Sequence, residues 1–258
     1  MKMKNIKYAS IWILILGTSA VLFGFSRKEQ SEASCWQLNV EVEEIEGVYF
    51  INEQTVKTRI LNLGQPVIGT PMEEIDVNGI QSDLRAMPSV NNATVYPGID
   101  GVLTVKISQR KPIARIITKS GESYYLDEKA QMMPLSDKYT ARVPIIVLKK
   151  ELPFKEKSDQ SEEATLLLRD FYLLITNIEE KPFWSAQIEH IAMLEDGDYE
   201  LVPRVGTHKI LLGTTNKMSR KLKKLRAFYD ASISQRNLNQ YKRINLKYAN
   251  QVIGERYY

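Results

Sequence analysis

Hydrophobic positions divide the chain into one long apolar run near its beginning and a series of short amphipathic segments after it. No charged residue occurs from Tyr8 to Ser26, and these nineteen residues in a helix span about 28 Å, close to the hydrocarbon thickness of a bilayer. Three lysines precede the run, which predicts a cytoplasmic N-terminus. Charged residues follow it directly, which favours an uncleaved anchor over a cleaved signal peptide. We therefore expect a cytoplasmic tail over 1–7, a transmembrane helix over 8–26 and a linker over 27–35, with the remaining residues outside the cytoplasm.

Residues 36–111 have the pattern of a strand, two helices and two more strands. Alternating apolar and polar residues predict the strands, and apolar residues at helical spacing predict the helices. Asn52 is a favourable N-cap for the first helix, and Gly64 stands where a C-cap glycine is expected. The predicted elements are strands over 38–42, 89–96 and 102–109, and helices that start after Asn52 and end before Pro88.

Residues 112–258 predict a second unit, made mostly of antiparallel strands with two helices. The expected fold class is therefore α+β: a membrane helix, a small β-α-α-β-β domain and a larger β domain. Ser161 is the expected N-cap of the first helix of the β domain. The predicted strands cover 113–118, 123–127, 144–148, 187–193, 199–202, 209–212 and 243–248, and the predicted helices cover 162–178 and 219–231.

Composition and charge exclude few classes of protein, and they give no indication of a metal, cofactor or substrate site. The net charge of +4 over 258 residues does not require a nucleic-acid partner. Cys35 is the single cysteine, so no intramolecular disulfide can form. His190 and His208 lack partners at metal-ligand spacing, so we expect no metal site, cofactor or small-molecule substrate.

A basic cluster on the second predicted helix of the β domain has two interpretations. Its apolar residues form a helical stripe, so the cations between them are typical of a solvent-exposed helix face. Contact with anionic lipid or with an acidic partner is the alternative. The cluster comprises Lys217, Arg220, Lys221, Lys223, Lys224 and Arg226.

One set of short motifs resembles the signature of penicillin-binding enzymes. Ser108 and Lys111 match S-x-x-K, and S-x-N and K-S-G matches lie nearby. In those enzymes a helix places the serine and the lysine on one face, whereas residues 102–108 are patterned as a strand. We therefore predict no catalytic residue here, and a membrane-tethered cell-wall enzyme remains the alternative.

Six motifs in order give the chain a family resemblance. They follow the predicted anchor, and the second contains the run from Met87 to Val95. This order resembles the FtsQ/DivIB cell-division proteins, which have a short cytoplasmic tail, one transmembrane helix, a POTRA domain and a β domain. The motifs start at Val40, Leu84, Leu103, Tyr125, Ile210 and Arg243.

The resemblance implies a non-enzymatic scaffold of the cell-division machinery in the inner (cytoplasmic) membrane at the division septum. Such proteins bind FtsB-type and FtsL-type partners and help to control septal peptidoglycan synthesis. It implies a POTRA domain over 36–111 and a β domain over 112–258. A POTRA protein of another assembly or export system is a further alternative, although those proteins carry a long β-barrel that the helices predicted after residue 111 do not allow.

The resemblance also implies where partners bind and where the two domains join. A partner segment adds to the edge of the last strand of the β domain. Gln251 stands where a glycine is common in the family, and Gln109 where a glutamate is common. Pro112 fixes the chain at the joint and offers no N–H to a sheet. The implied partner-binding residues are Lys247, Tyr248, Ala249, Asn250 and Gln251, and the implied interdomain joint is Gln109, Arg110, Lys111 and Pro112.

Overall fold

The computed structural model describes residues 15–19, 34–45, 48–137, 139–149, 162–234 and 238–257. Contacts within the chain divide it into two compact units, Met1–Gln109 and Arg110–Tyr258. The division follows Gln109, two residues before the predicted domain boundary.

Most of the predicted membrane helix falls outside this description. The tail over 1–7, most of the span over 8–26 and the linker up to residue 33 lie outside the described residues, and 15–19 is helical. Across the part of the chain that is described, no helix has both the length and the apolar character that a bilayer crossing needs.

The first unit has the predicted order of elements. Its three strands form one sheet in the order β1-β3-β2, with β1 parallel and β2 antiparallel to the central β3. The prediction of a strand, two helices and two strands is therefore confirmed. The elements are β1 (Gln37–Val42), α1 (Glu53–Leu61), α2 (Val77–Arg85), β2 (Val90–Pro97) and β3 (Val102–Gln109).

Local capping explains where α1 begins and ends. Asn52 Oδ1 accepts a hydrogen bond from Thr55 N at 2.8 Å, as predicted for an N-cap. The helix ends earlier than Gly64, because Asn62 is the C-cap and its N–H donates to the carbonyl of Thr58 at 3.2 Å. Gly64 lies in the following loop with φ of +83°, a conformation that favours glycine.

The second unit contains one nine-stranded sheet, in the order β12-β11-β10-β9-β8-β7-β4-β5-β6. Five of its eight strand pairings are antiparallel, which confirms a mostly antiparallel sheet. The strands are β4 (Pro112–Ile117), β5 (Ser123–Asp127), β6 (Met132–Pro134), β7 (Ile145–Leu148), β8 (Ile188–Met193), β9 (Tyr199–Pro203), β10 (Lys209–Gly213), β11 (Tyr241–Asn245) and β12 (Ile253–Arg256).

Among the described residues of this unit, three helices pack against the sheet, rather than the predicted two. They are α3 (Glu162–Glu179), α4 (Pro182–Gln187) and α5 (Met218–Ser234), and the predicted N-cap Ser161 lies outside the described residues. The short α4 was missed because its six residues are too few for a helical period. Its Trp184 belongs to the same buried cluster as residues of α3, α5 and the strands, so the helices and the sheet share one core.

The end of the chain differs from the prediction. The strand predicted over 243–248 is β11, which ends at Asn245, where the side-chain Oδ1 accepts a hydrogen bond from Lys247 N at 3.0 Å. A further strand, β12, follows and pairs antiparallel with β11. It was missed because it has four residues and one of them, Gly254, removes the alternation on which a strand prediction depends.

Candidate partner-binding surface

The five predicted partner-binding residues form a single exposed loop. Lys247–Gln251 connect β11 with β12 and are all solvent-exposed, so they do not lie on the last strand as the resemblance implied. The last strand is instead β12. The sequence therefore located an accessible segment beside the sheet edge, but not the edge itself.

Lys247 has a partner within its own unit. Its Nζ donates to Asp198 Oδ2 at 2.5 Å, and this hydrogen bond raises the pKa of the lysine. Its side chain lies against Gly213, where an added Cβ would be 2.9 Å from Lys247 Cγ. The lysine thus holds the β11–β12 loop against the turn before β9 and the end of β10.

The basic residues of α5 hold the other end of this loop. Lys224 Nζ donates to the carbonyl oxygens of Tyr248 and, at 3.3 Å, Gln251. Arg220 Nη2 donates to Asn250 Oδ1 at 3.0 Å. The basic helix face, for which solvent exposure and contact with an anionic partner were the two interpretations, therefore also supplies donors to a loop whose carbonyls lack strand partners.

A cavity of about 400 Å³ lies between the start of α5 and the loop. Lys221 Nζ donates to the carbonyl oxygens of Leu212 at 2.9 Å and Thr214 at 2.7 Å. Burial lowers the pKa of Lys221, the charge of Asp198 opposes this effect, and the charges of Lys224 and Lys247 add to it. The cavity is cationic because five basic residues line it, and its chemistry suits a carboxylate. The lining cations are Lys217, Arg220, Lys221, Lys224 and Lys247.

Strand β12 is the sheet edge beside this loop. It is at one end of the nine-stranded order, and among the described strands it pairs only with β11. Tyr241 of β11 lies against Gly254, where an added Cβ would be 2.4 Å from a ring carbon. The same ring packs edge-on against Phe228 of α5 at 5.1 Å between centroids. The short strand is thus held in place on one side and open on the other.

The predicted joint residues divide between the two units. Gln109 is buried in the first unit, where its Oε1 accepts hydrogen bonds from the backbone N–H groups of Phe50 at 3.1 Å and Ile51 at 3.0 Å. Arg110 belongs to the second unit, where its Nε donates to Asp127 Oδ2 at 2.7 Å. Lys111 is exposed and Pro112 begins β4. A joint at these residues remains a prediction.

The residues of the enzyme alternative lie in different units. Ser108 lies on β3, as its strand pattern predicts, and its hydroxyl accepts a hydrogen bond from Asn91 Nδ2 at 3.4 Å. A helix that places Ser108 and Lys111 on one face is therefore not present at this position. Within the described residues, no three His, Cys, Asp or Glu side chains are grouped as metal ligands would be.

Comparison with known proteins identifies both units. A family model described as FtsQ/DivIB, C-terminal related, matches residues 111–255, and a POTRA-like domain model matches residues 33–108. The cell division protein FtsQ of Salinibacter ruber (strain DSM 13855 / M31) is 26% identical over 231 residues, which cover 84% of this chain and 83% of the relative. The predicted family is confirmed. Because the first model matches more than half of the chain, the protein belongs to the FtsQ/DivIB C-terminal-related family.

Proposed function

We propose that this protein is a non-enzymatic scaffold of the cell-division machinery. Residues 8–26 anchor it in the cytoplasmic membrane at the division septum, and its two units lie on the outer side. It recruits membrane-anchored partners of the FtsB and FtsL type and helps to control septal peptidoglycan synthesis. The name and similarity of the relative from Salinibacter ruber support the role in division.

The open edge of β12 is the observation that carries the binding proposal. Unpaired backbone groups at a sheet edge accept an added strand from another chain. Ile253 in β12 is 37% exposed and offers apolar contact beside those backbone groups. A partner segment therefore adds to β12 as the tenth strand of the sheet.

The loop Lys247–Gln251 extends this surface towards the cationic cavity. Tyr248 is half exposed and Ala249 is exposed, and both line the cavity together with the α5 cations. A carboxylate on the partner finds ammonium groups there that are already fixed by carbonyl contacts. We therefore expect the added strand to be flanked by an acidic residue.

Capture of partners from the source cells tests the edge. Full-length tagged protein carrying Ile253→Lys is compared with Leu135→Lys, since Leu135 is 39% exposed and follows β6 at the opposite end of the same sheet. We expect the first variant to lose membrane-anchored division proteins and the second to retain them. Equal capture by both variants contradicts strand addition at β12.

Location and catalysis are tested separately. A fluorescent fusion of the full chain is expected at midcell in dividing cells, and a uniform membrane signal contradicts the proposed role. The purified full-length protein is expected to leave peptidoglycan unchanged. Peptidoglycan turnover that disappears on Ser108→Ala establishes the enzyme alternative instead.

A further inference from the structure

Three segments of the first unit meet at one end of its sheet. The loop before Pro71 runs beside the start of β1, because Cys35 N donates to Thr70 O at 2.9 Å and Gly69 N donates to Cys35 O at 2.6 Å. The β2–β3 turn lies on the other side, since Trp36 N donates to Gly101 O at 3.0 Å. We call residues 34–36, 66–70 and 97–101 the tip.

The tip exposes large apolar side chains where polar ones are usual. Ile99 in the turn is 79% exposed, the highest value among the large hydrophobic side chains of the described residues. Trp36 is 63% exposed and Ile68 is 47% exposed. Turns and loops normally carry polar residues, so three such side chains at one end form an apolar surface that faces solvent.

The Trp36 ring is held on the turn. Its Nε1 donates to Asp100 O at 2.7 Å, and an added Cβ on Gly101 would be 2.6 Å from ring atom Cδ1. Gly101 has φ of +78°, so both the backbone and the ring favour glycine there. The exposed face of the indole is therefore presented in one orientation.

Charge is nearly absent from the tip. Asp100 is its one charged residue, and the Asp100 carboxylate accepts a hydrogen bond from Val102 N at 3.1 Å. Apart from the hydrogen-bonded Asp100, the tip consists of apolar, small or uncharged polar residues. Such a surface enters the headgroup region of a bilayer at a small desolvation cost, and an indole with its polar N–H is typical of that interface.

The short stretch of chain between the anchor and Ser34 indicates which partner the tip contacts, because it keeps the start of the first unit near the membrane. Eight residue steps separate Ser26, the end of the anchor, from Ser34, and a fully extended chain covers at most about 29 Å over eight steps. We propose that the tip rests on the outer surface of the membrane, with Ile99, Ile68 and the indole of Trp36 among the lipid headgroups. This inference rests on the anchor in the proposed function.

Photo-crosslinking of the full-length protein in vesicles tests the contact. Ile99→p-benzoylphenylalanine is reconstituted in phosphatidylethanolamine–phosphatidylglycerol vesicles, irradiated and analysed for lipid adducts by intact mass. Val205→p-benzoylphenylalanine is the matched control, since Val205 is 68% exposed in the second unit. We expect several-fold more lipid adduct at position 99 than at position 205.

A second position and a flotation step make each outcome decisive. Ile68→p-benzoylphenylalanine probes the other loop of the tip and is expected to give the same excess of lipid adduct. Protein that floats with the vesicles but gives no excess at either tip position overturns this inference and leaves the proposed function intact. Protein that does not float overturns the anchor, and the inference with it. A protein adduct in place of lipid at these positions in cells also overturns it.

Discussion

Lys247 and Asp198 form a hydrogen-bonded ion pair with 2.5 Å between Nζ and Oδ2. The family resemblance assigns Lys247 to contact with a partner, yet its ammonium group already donates a hydrogen bond to a carboxylate of its own unit. The pair joins the β11–β12 loop to the turn before β9, and the loop lies beside the open edge of β12. The pair therefore positions the proposed binding surface.

A double-mutant cycle on this pair separates positioning from direct contact. We expect Lys247→Met and Asp198→Asn to reduce partner capture to the same extent, and the double variant to lose no more than either single variant, because one interaction is removed in each case. Methionine retains the apolar stem against Gly213. If Lys247→Met reduces capture and Asp198→Asn does not, the lysine binds the partner directly.

Gly254 leaves space for the Tyr241 ring of β11 beside β12. A side chain there collides with the Tyr241 ring, so we expect Gly254→Ala to lower the free energy of unfolding by about 1–3 kcal/mol, as overpacking does. Partner capture should fall with it, because the edge strand is displaced. Urea denaturation of the full chain measures the first effect.

The Tyr241 ring supplies the control for Gly254. If the collision is the cause, adding Tyr241→Ala to Gly254→Ala costs less than the sum of the two single changes. Strict additivity of the two changes would show that Gly254 acts through its backbone alone.

Gln109 satisfies two buried backbone donors of the first unit. Gln109→Leu removes the acceptor from the N–H groups of Phe50 and Ile51, so we expect a loss of about 1–3 kcal/mol in the free energy of unfolding. Gln109→Glu keeps an acceptor for both N–H groups and should cost less. Urea denaturation compares the two variants, and an equal loss contradicts the role assigned to the acceptor.

His208 makes the second unit sensitive to acid. It is buried, its Nε2 lies 2.6 Å from Tyr229 Oη, and burial lowers its pKa below the usual 6.5. The unfolded chain therefore binds a proton at His208 over a pH range in which the folded chain does not. We expect the free energy of unfolding to fall as pH drops from 7 towards 5, and to be regained as pH rises.

Two histidine variants test whether His208 causes this pH dependence of the free energy of unfolding. In urea titrations across that range, His208→Gln should flatten the pH dependence. His190→Gln should keep it, because His190 is only partly buried. A pH dependence that is unchanged in His208→Gln would place the acid sensitivity at other groups.

Local patterns predicted most of the elements because their causes are local. Asn52 caps α1 through a residue three positions away, and the alternation over 102–109 is that of a strand with one buried face. The exceptions were β6, α4 and β12, which are too short to show a period. The need for glycine at position 254 is explained only by the Tyr241 ring, which lies where a side chain on Gly254 would be.

The sequence by itself determined the order of elements in the first unit and the family, because these follow from local periodicity and from motifs in order. The tertiary structure alone decided which groups meet. Gln109 reaches Phe50 across 59 residues, and Lys247 reaches Asp198 across 49. Such contacts depend on how the sheets bring distant segments together, so the pattern of residues along the chain does not predict them. For the same reason, the open edge belongs to β12 rather than to the strand whose alternation is clear.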